Sequence, residues 1–146
     1  MNRSTRWIVG LLAVATLAIA GRLAVMAATA PSGVAWNADQ LVFKPMIPGI
    51  SQAVLWGDPE KGAYGRITKF DKNVQHAMHT HPADIKEVVI AGAFTYDDGT
   101  GMKSYGPGSY LLIPANKPHA SGAGPDGVTF FEEGSGAFKL DPVKKS

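Results

Sequence analysis

Turn-forming residues interrupt this sequence every few positions, and this constrains the fold more than any other feature. The 146 residues include 17 glycines and 10 prolines, and several segments between them are short and rich in β-branched and aromatic residues. No convincing helical period is found after position 30, so an all-β domain of short strands, a sandwich or a barrel, is predicted. We expect strands at 40–45, 51–56, 63–70, in a histidine-containing segment that ends at 81, and at 85–96, 102–105, 109–113, 128–132 and 137–140.

The first 30 residues differ in composition from the rest. A basic start with Arg3 and Arg6 precedes an apolar run over 7–20, and small residues follow Arg22. This order is typical of a secretory signal peptide, and an uncleaved N-terminal anchor helix is the alternative. The predicted organisation is a signal peptide or anchor over 1–30, a linker over 31–38 and one folded domain over 39–146. That domain is expected to be exported, periplasmic or extracellular, and to contact a membrane only if the anchor is retained.

Cysteine content and charge exclude several kinds of protein. The chain has no cysteine, so it has no disulfide, no thiolate nucleophile and no cysteine-type zinc site. Three of the fourteen basic residues lie in the first 30, which leaves eleven against twelve acidic residues in the remainder. The basic pattern of a nucleic-acid interface is missing, and no nucleic-acid partner is expected. Any metal site must use His, Asp or Glu.

Three of the four histidines lie close together, at His76, His79 and His81, and the fourth is His119. Successive side chains of a strand point to opposite faces, so His79 and His81 project to the same face. Two imidazoles on one face, joined by a third from a distant strand, are able to bind a metal. An isolated H-x-H also arises by chance on an exposed strand end. His76 has the opposite parity and is expected at the surface or at the barrel mouth.

Two motifs around these histidines resemble those of the cupin superfamily. The first cupin motif, G-x5-H-x-H-x(3,4)-E-x6-G, is matched by His79, His81 and Gly92. The second, G-x5-P-x-G-x2-H-x3-N, is matched in spacing by Gly108, Pro114 and His119, with Asn116 at the inner glycine and Ala123 at the last asparagine. The chain looks closest to short cupins of uncharacterised function and to the cupin domains of zinc-dependent anti-sigma factors.

The resemblance implies a single cupin jelly-roll β-barrel with a metal in its mouth. The expected cofactor is a divalent transition metal (Zn, Fe, Ni, Cu or Mn), because imidazole ligands suit such ions better than Mg or Ca. Three protein ligands leave a position open for water or for a small-molecule ligand. A homodimer is a further expectation from the resemblance alone.

The glutamate of the first motif is missing. Ile85 stands at its place, Asp84 lies one residue before it and Glu87 two residues after it. Resemblance to the short cupins favours Asp84, whereas strand parity favours Glu87, which shares a face with the histidines. Glu87 is equally consistent with a surface ion pair. The predicted metal ligands are therefore His79, His81, His119 and Glu87.

The catalytic residues remain unassigned. Glu132 is a candidate acid or base if it points inward, and its neighbour Glu133 must then point outward. We expect a metal-binding or small-molecule-binding module, because the full cupin ligand set is absent. The alternative is a metal-dependent enzyme of dioxygenase, isomerase or lyase type, and a metal-free scaffold is a third reading. The fold alone does not choose among them.

Overall fold

The part of the chain that the structure describes contains nine strands and one short 3-10 turn. The computed structural model describes residues 33–144, so the predicted signal peptide or anchor lies outside the described residues. None of the helical structure in the described part has the length and apolarity needed to cross a membrane. The 3-10 turn is Ala38–Gln40, and the strands are β1 Lys44–Ile47, β2 Ile50–Gly57, β3 Tyr64–Phe70, β4 Gln75–Thr80, β5 Ile85–Asp97, β6 Lys103–Tyr105, β7 Tyr110–Ile113, β8 His119–Gly134 and β9 Asp141–Pro142.

The all-β prediction is confirmed, but both ends of the strand list are displaced. The predicted first strand at 40–45 begins only at Lys44, because Asn37 and Gln40 form a capping box that holds the preceding residues in a 3-10 turn. The predicted last strand at 137–140 is wrong. Its Phe138 amide donates instead to the carbonyl of Pro59, and a strand forms only at Asp141–Pro142.

The strands form one antiparallel sheet that curls around the core, and β8 pairs with three other strands, β3, β4 and β5. The order is β1-β2-β3-β8-β4-β9, while β5 pairs with β6, β7 and β8. The first part of β8 lies between β4 and β5, and its last part lies between β3 and β5. Buried core residues lie on β5, β7 and β8: Val89, Phe94, Leu111, Ala123, Val128 and Phe130.

The turn after β4 and the bend before β8 are tied to each other. Asn116, which replaces a cupin glycine, has φ 60°, a left-handed conformation that asparagine tolerates well. Its amide donates to the His81 carbonyl at 2.7 Å, and the Ala115 amide donates to the Asp84 carboxylate at 2.8 Å. These bonds join the two histidine motifs and position His119 relative to His81.

Candidate metal centre

Three imidazoles converge inside the curled sheet. His79 of β4 and His119 of β8 are register partners on neighbouring strands, and His81 follows β4 by one residue. All three are buried, and one potential ligand atom of each lies within 4.8 Å of the others. The ring centroid of His79 lies 4.2 Å from that of His119 and 4.9 Å from that of His81. The structure therefore brings together the three histidines that the motifs single out.

Each imidazole is oriented by a backbone carbonyl. The Nδ1 atoms of His79 and His119 lie 2.8 and 2.9 Å from the carbonyl oxygens two residues earlier, and that of His81 lies 2.7 Å from the Lys139 carbonyl. A carbonyl oxygen only accepts, so Nδ1 must carry the proton and donate. The lone pair is then on Nε2, and Nε2 of His119 is buried with no partner among the described residues. This is the tautomer that binds a metal through Nε2.

Burial keeps these imidazoles neutral. It lowers the pKa of His79 and His119 below their usual value, and it lowers the pKa of His81 to about 4. In each case the largest cause is desolvation of the charged form, which the backbone carbonyl opposes. A metal that binds near neutral pH therefore displaces few protons from the triad.

Glu87 and Asp84 lie in different surroundings. Glu87 is buried and lines the same cavity as the triad, as strand parity predicts. It is not part of the group whose ligand atoms lie within 4.8 Å, so its ligation of a metal stays a prediction. Asp84 is exposed and accepts from the Ala115 amide. The surface ion pair of this strand is formed instead by Lys86 and Glu133.

His76 lies beside the triad without belonging to it. The β4–β8 register shifts between His76 and His79, so that both side chains line the cavity despite their opposite parity. Its ring is half-buried against Phe70, at a centroid distance of 5.3 Å. It therefore lies at the cavity wall and offers a matched control for the triad histidines.

A second polar cluster, which the sequence did not reveal, lies in the same cavity. Arg66 donates to both carboxylate oxygens of Glu132, at 2.7 and 2.9 Å, and both side chains are buried. The Tyr64 hydroxyl also donates to Glu132, and Gln52 accepts from Arg66 at 2.6 Å. Glu132 therefore points inward and Glu133 outward, so that only one of the two lies inside, as the two-residue period of a strand predicts. Arg66 was missed because a lone basic residue in an alternating strand resembles an exposed one.

The segment after β8 covers the cavity between the triad and this cluster. Phe138 packs against the His81 ring at a centroid distance of 5.1 Å, and the Arg66 guanidinium carbon lies 4.1 Å from its ring centre. The next residue, Lys139, supplies the carbonyl that orients His81. The segment therefore contacts both the candidate metal site and the buried ion pair.

The cavity has a volume of about 290 Å³, which is small for a ligand site. Its wall combines the triad and the buried ion pair with apolar side chains, among them Ile50, Phe70, Phe94, Ile113, Phe130 and Leu140. The neutral, oriented imidazoles fit a divalent transition metal, with a coordination position left for a small molecule. The arrangement suits binding of a metal together with a compact, largely apolar ligand.

One protein family matches most of the chain. Residues 31–137 match the sequence model of the ChrR cupin-like domain. No curated protein matches the chain.

Solved structures show the same fold. A putative acetylacetone dioxygenase from Methylibium petroleiphilum is 21% identical, with a TM-score of 0.63 over 80% of this chain and 84% of that one. The polyketide cyclase RemF from Streptomyces resistomycificus is 17% identical, with a TM-score of 0.63 over 79% and 88%. An RmlC-like cupin from Shewanella frigidimarina is 19% identical, with a TM-score of 0.61 over 73% and 93%. At these identities the likeness is one of fold, and the cupin fold predicted from the motifs is confirmed.

Proposed function

Because the chain belongs to the family of ChrR cupin-like domains, we propose that it is an exported single-domain cupin that binds a divalent transition metal through His79, His81 and His119. The metal, one of Zn, Fe, Ni, Cu or Mn, supplies a Lewis-acidic centre to which a small oxygen-bearing ligand binds. Export is inferred only from the composition of residues 1–30. The protein acts as a binding module for metal and small ligand.

One observation carries this proposal: all three Nδ1 atoms are hydrogen-bonded to carbonyls, which leaves the Nε2 lone pair of each ring for a metal, and one potential ligand atom of each ring lies within 4.8 Å of the others. A buried histidine that serves only packing has no need of this common orientation. Outer hydrogen bonds of this kind are typical of histidines that bind metals.

The test is metal analysis of the domain, purified without a histidine tag and reloaded with zinc. We expect one zinc per chain in the wild type, and at least a tenfold weaker affinity in His81→Ala and His119→Ala, as the loss of one of three ligands requires. His76→Ala is the control, since it removes a histidine from the same cavity but not from the triad. Equal zinc affinity in all four proteins would refute the proposal.

The alternative is a metal-dependent enzyme, and the buried carboxyl of Glu87 beside the triad is the feature that favours it. One structural neighbour is named as a putative acetylacetone dioxygenase, so oxygen uptake by the iron-loaded domain with acetylacetone is a direct assay. The binding-module proposal predicts binding without turnover. Oxygen uptake that His119→Ala abolishes would establish the enzyme instead.

The N-terminal segment and the oligomeric state are proposals with simple tests. A mature mass that lacks about the first 27 or 28 residues would support a cleaved signal peptide, and recovery of the full chain in the membrane fraction would support the anchor. We propose a homodimer, and sedimentation of the domain at the mass of one chain would contradict it.

A further inference from the structure

Two buried glutamates lie side by side on the inner face of the sheet, and within residues 33–144 only one of them has a side-chain partner. Glu87 of β5 and Glu132 of β8 are register partners, so their side chains project to the same face on adjacent strands. Both are almost fully buried, at 5% and 3% exposure, and both line the cavity of the triad. Their surroundings are nevertheless opposite.

Glu132 is fully engaged by the protein. Its oxygens accept from Arg66, Tyr64 and Thr68, and Arg66 balances its charge. The guanidinium also donates to Gln52 and to the Met46 sulfur, and among the described residues only its Nε has no partner. The Arg66–Glu132 cluster is therefore self-contained and electrically neutral.

Glu87 is not engaged in this way. Its Oε2 atom is buried and has no hydrogen-bond partner among the described residues. Burial, and then the neighbouring charge of Glu132, raise the pKa of Glu87 well above its usual range. Buried polar groups are nearly always hydrogen-bonded, and one that is not requires an explanation. An uncompensated carboxyl at this place is a cost to the fold that a ligand of the cavity would remove.

We propose that Glu87 is the ligand-recognition residue of the cavity and not the fourth metal ligand. In its protonated form Glu87 donates a hydrogen bond to one oxygen of a small, uncharged, largely apolar organic molecule whose other oxygen binds the metal at the triad. This rests on the proposed metal site. The wall of the cavity is largely apolar, and the charge of Arg66, which also lines it, is already balanced by Glu132, so a ligand with an anionic group at this end is disfavoured.

The test compares zinc-loaded wild type with Glu87→Met and Glu87→Gln. The probes are hexane-2,5-dione, an uncharged compound with two carbonyl oxygens, and 4-oxopentanoate, which has the same number of heavy atoms but ends in a carboxylate. We expect the wild type to bind the dione more tightly. Glu87→Met should weaken dione binding about tenfold, the value of one good buried hydrogen bond, while Glu87→Gln, whose amide still bonds an oxygen, should retain it.

Two further readouts separate recognition from structure and from metal binding. Glu87→Met should hold zinc as tightly as the wild type, and it should raise the melting temperature, because it replaces an unpaired buried carboxyl with an apolar side chain of similar size. Glu132→Met, at the neighbouring register position, is the control and should lower the melting temperature.

Each of four results would overturn the inference or a part of it. Zinc loss in Glu87→Met comparable to that in His81→Ala would make Glu87 a metal ligand, and the proposed metal function would stand. A melting temperature that falls in Glu87→Met as far as in Glu132→Met would make Glu87 structural. Tighter binding of 4-oxopentanoate than of the dione, or no binding of the dione, would refute the ligand class. Absence of zinc from the wild type would refute the metal site itself. It would also refute the proposed contact between the metal and the second oxygen of the organic molecule.

Discussion

Replacing Glu132 with methionine should destabilise the domain more than most single substitutions, because it leaves the Arg66 charge buried and uncompensated. Both side chains of the pair are at most 4% exposed, and the guanidinium donates to both carboxylate oxygens. Removal of one partner of such a pair costs about 3–5 kcal/mol, whereas a whole domain has about 5–15 kcal/mol of stability. At about 4 °C per kcal/mol for a domain of this size, the melting temperature should fall by about 12–20 °C.

The double variant Arg66→Met/Glu132→Met tests the reasoning. Apolar residues of similar volume often replace a buried ion pair without loss, so the double variant should regain most of the stability that Glu132→Met loses. The assay is urea unfolding of the metal-free domain followed by far-ultraviolet circular dichroism, because bound metal would add its own stabilisation. A loss below about 1 kcal/mol in Glu132→Met, the range of an exposed pair, would refute the argument. So would a double variant that is less stable than Glu132→Met.

Three further predictions concern the triad and its support. Ile85→Glu places a carboxylate at the glutamate position of the cupin motif. It should tighten the affinity for zinc about tenfold and destabilise the metal-free domain. The affinity is measured by competition with a chelator, and an unchanged value would contradict the prediction. Gly92→Ala should lower the free energy of unfolding, measured in urea, by about 2 kcal/mol or more, because φ is +74° and the added Cβ would meet the Gly127 carbonyl. Gly106→Ala is the control and should be nearly neutral, since its added Cβ would meet no described atom within 4 Å. The metal-free domain should lose stability as the pH falls from about 6.5 to about 4. In this range the histidines bind protons in the unfolded chain but stay neutral in the folded domain, where burial lowers their pKa. His81 alone contributes up to about 3 kcal/mol to this loss. Since the raised pKa of Glu87 acts in the opposite direction, the titration is best measured in Glu87→Gln, and a stability that rises toward acid there would refute the assignment.

Strand parity and motif spacing predicted much of the inner face of the sheet. The two-residue period correctly placed His79 and Glu87 inside and Asp84 outside. It also predicted that only one of Glu132 and Glu133 would be buried. Local periodicity is informative here because a side chain in a pleated strand has only two directions to choose from. His76 is half-buried outside the triad, and it lines the same cavity despite its opposite parity because the register shifts between β4 and β8.

The sequence by itself determined the all-β class, the cupin motifs and the pair of histidines on one face, since these depend on local periodicity and spacing. Only the tertiary structure decided what lies next to what across the curled sheet. It brought the Lys139 carbonyl within hydrogen-bond distance of His81, 58 residues away in the chain, and it paired Arg66 with Glu132, 66 residues away. Among the described residues, it also left the Oε2 atom of Glu87 without a hydrogen-bond partner beside that pair. Such contacts follow from the register and curvature of distant strands, which no local pattern in the chain encodes.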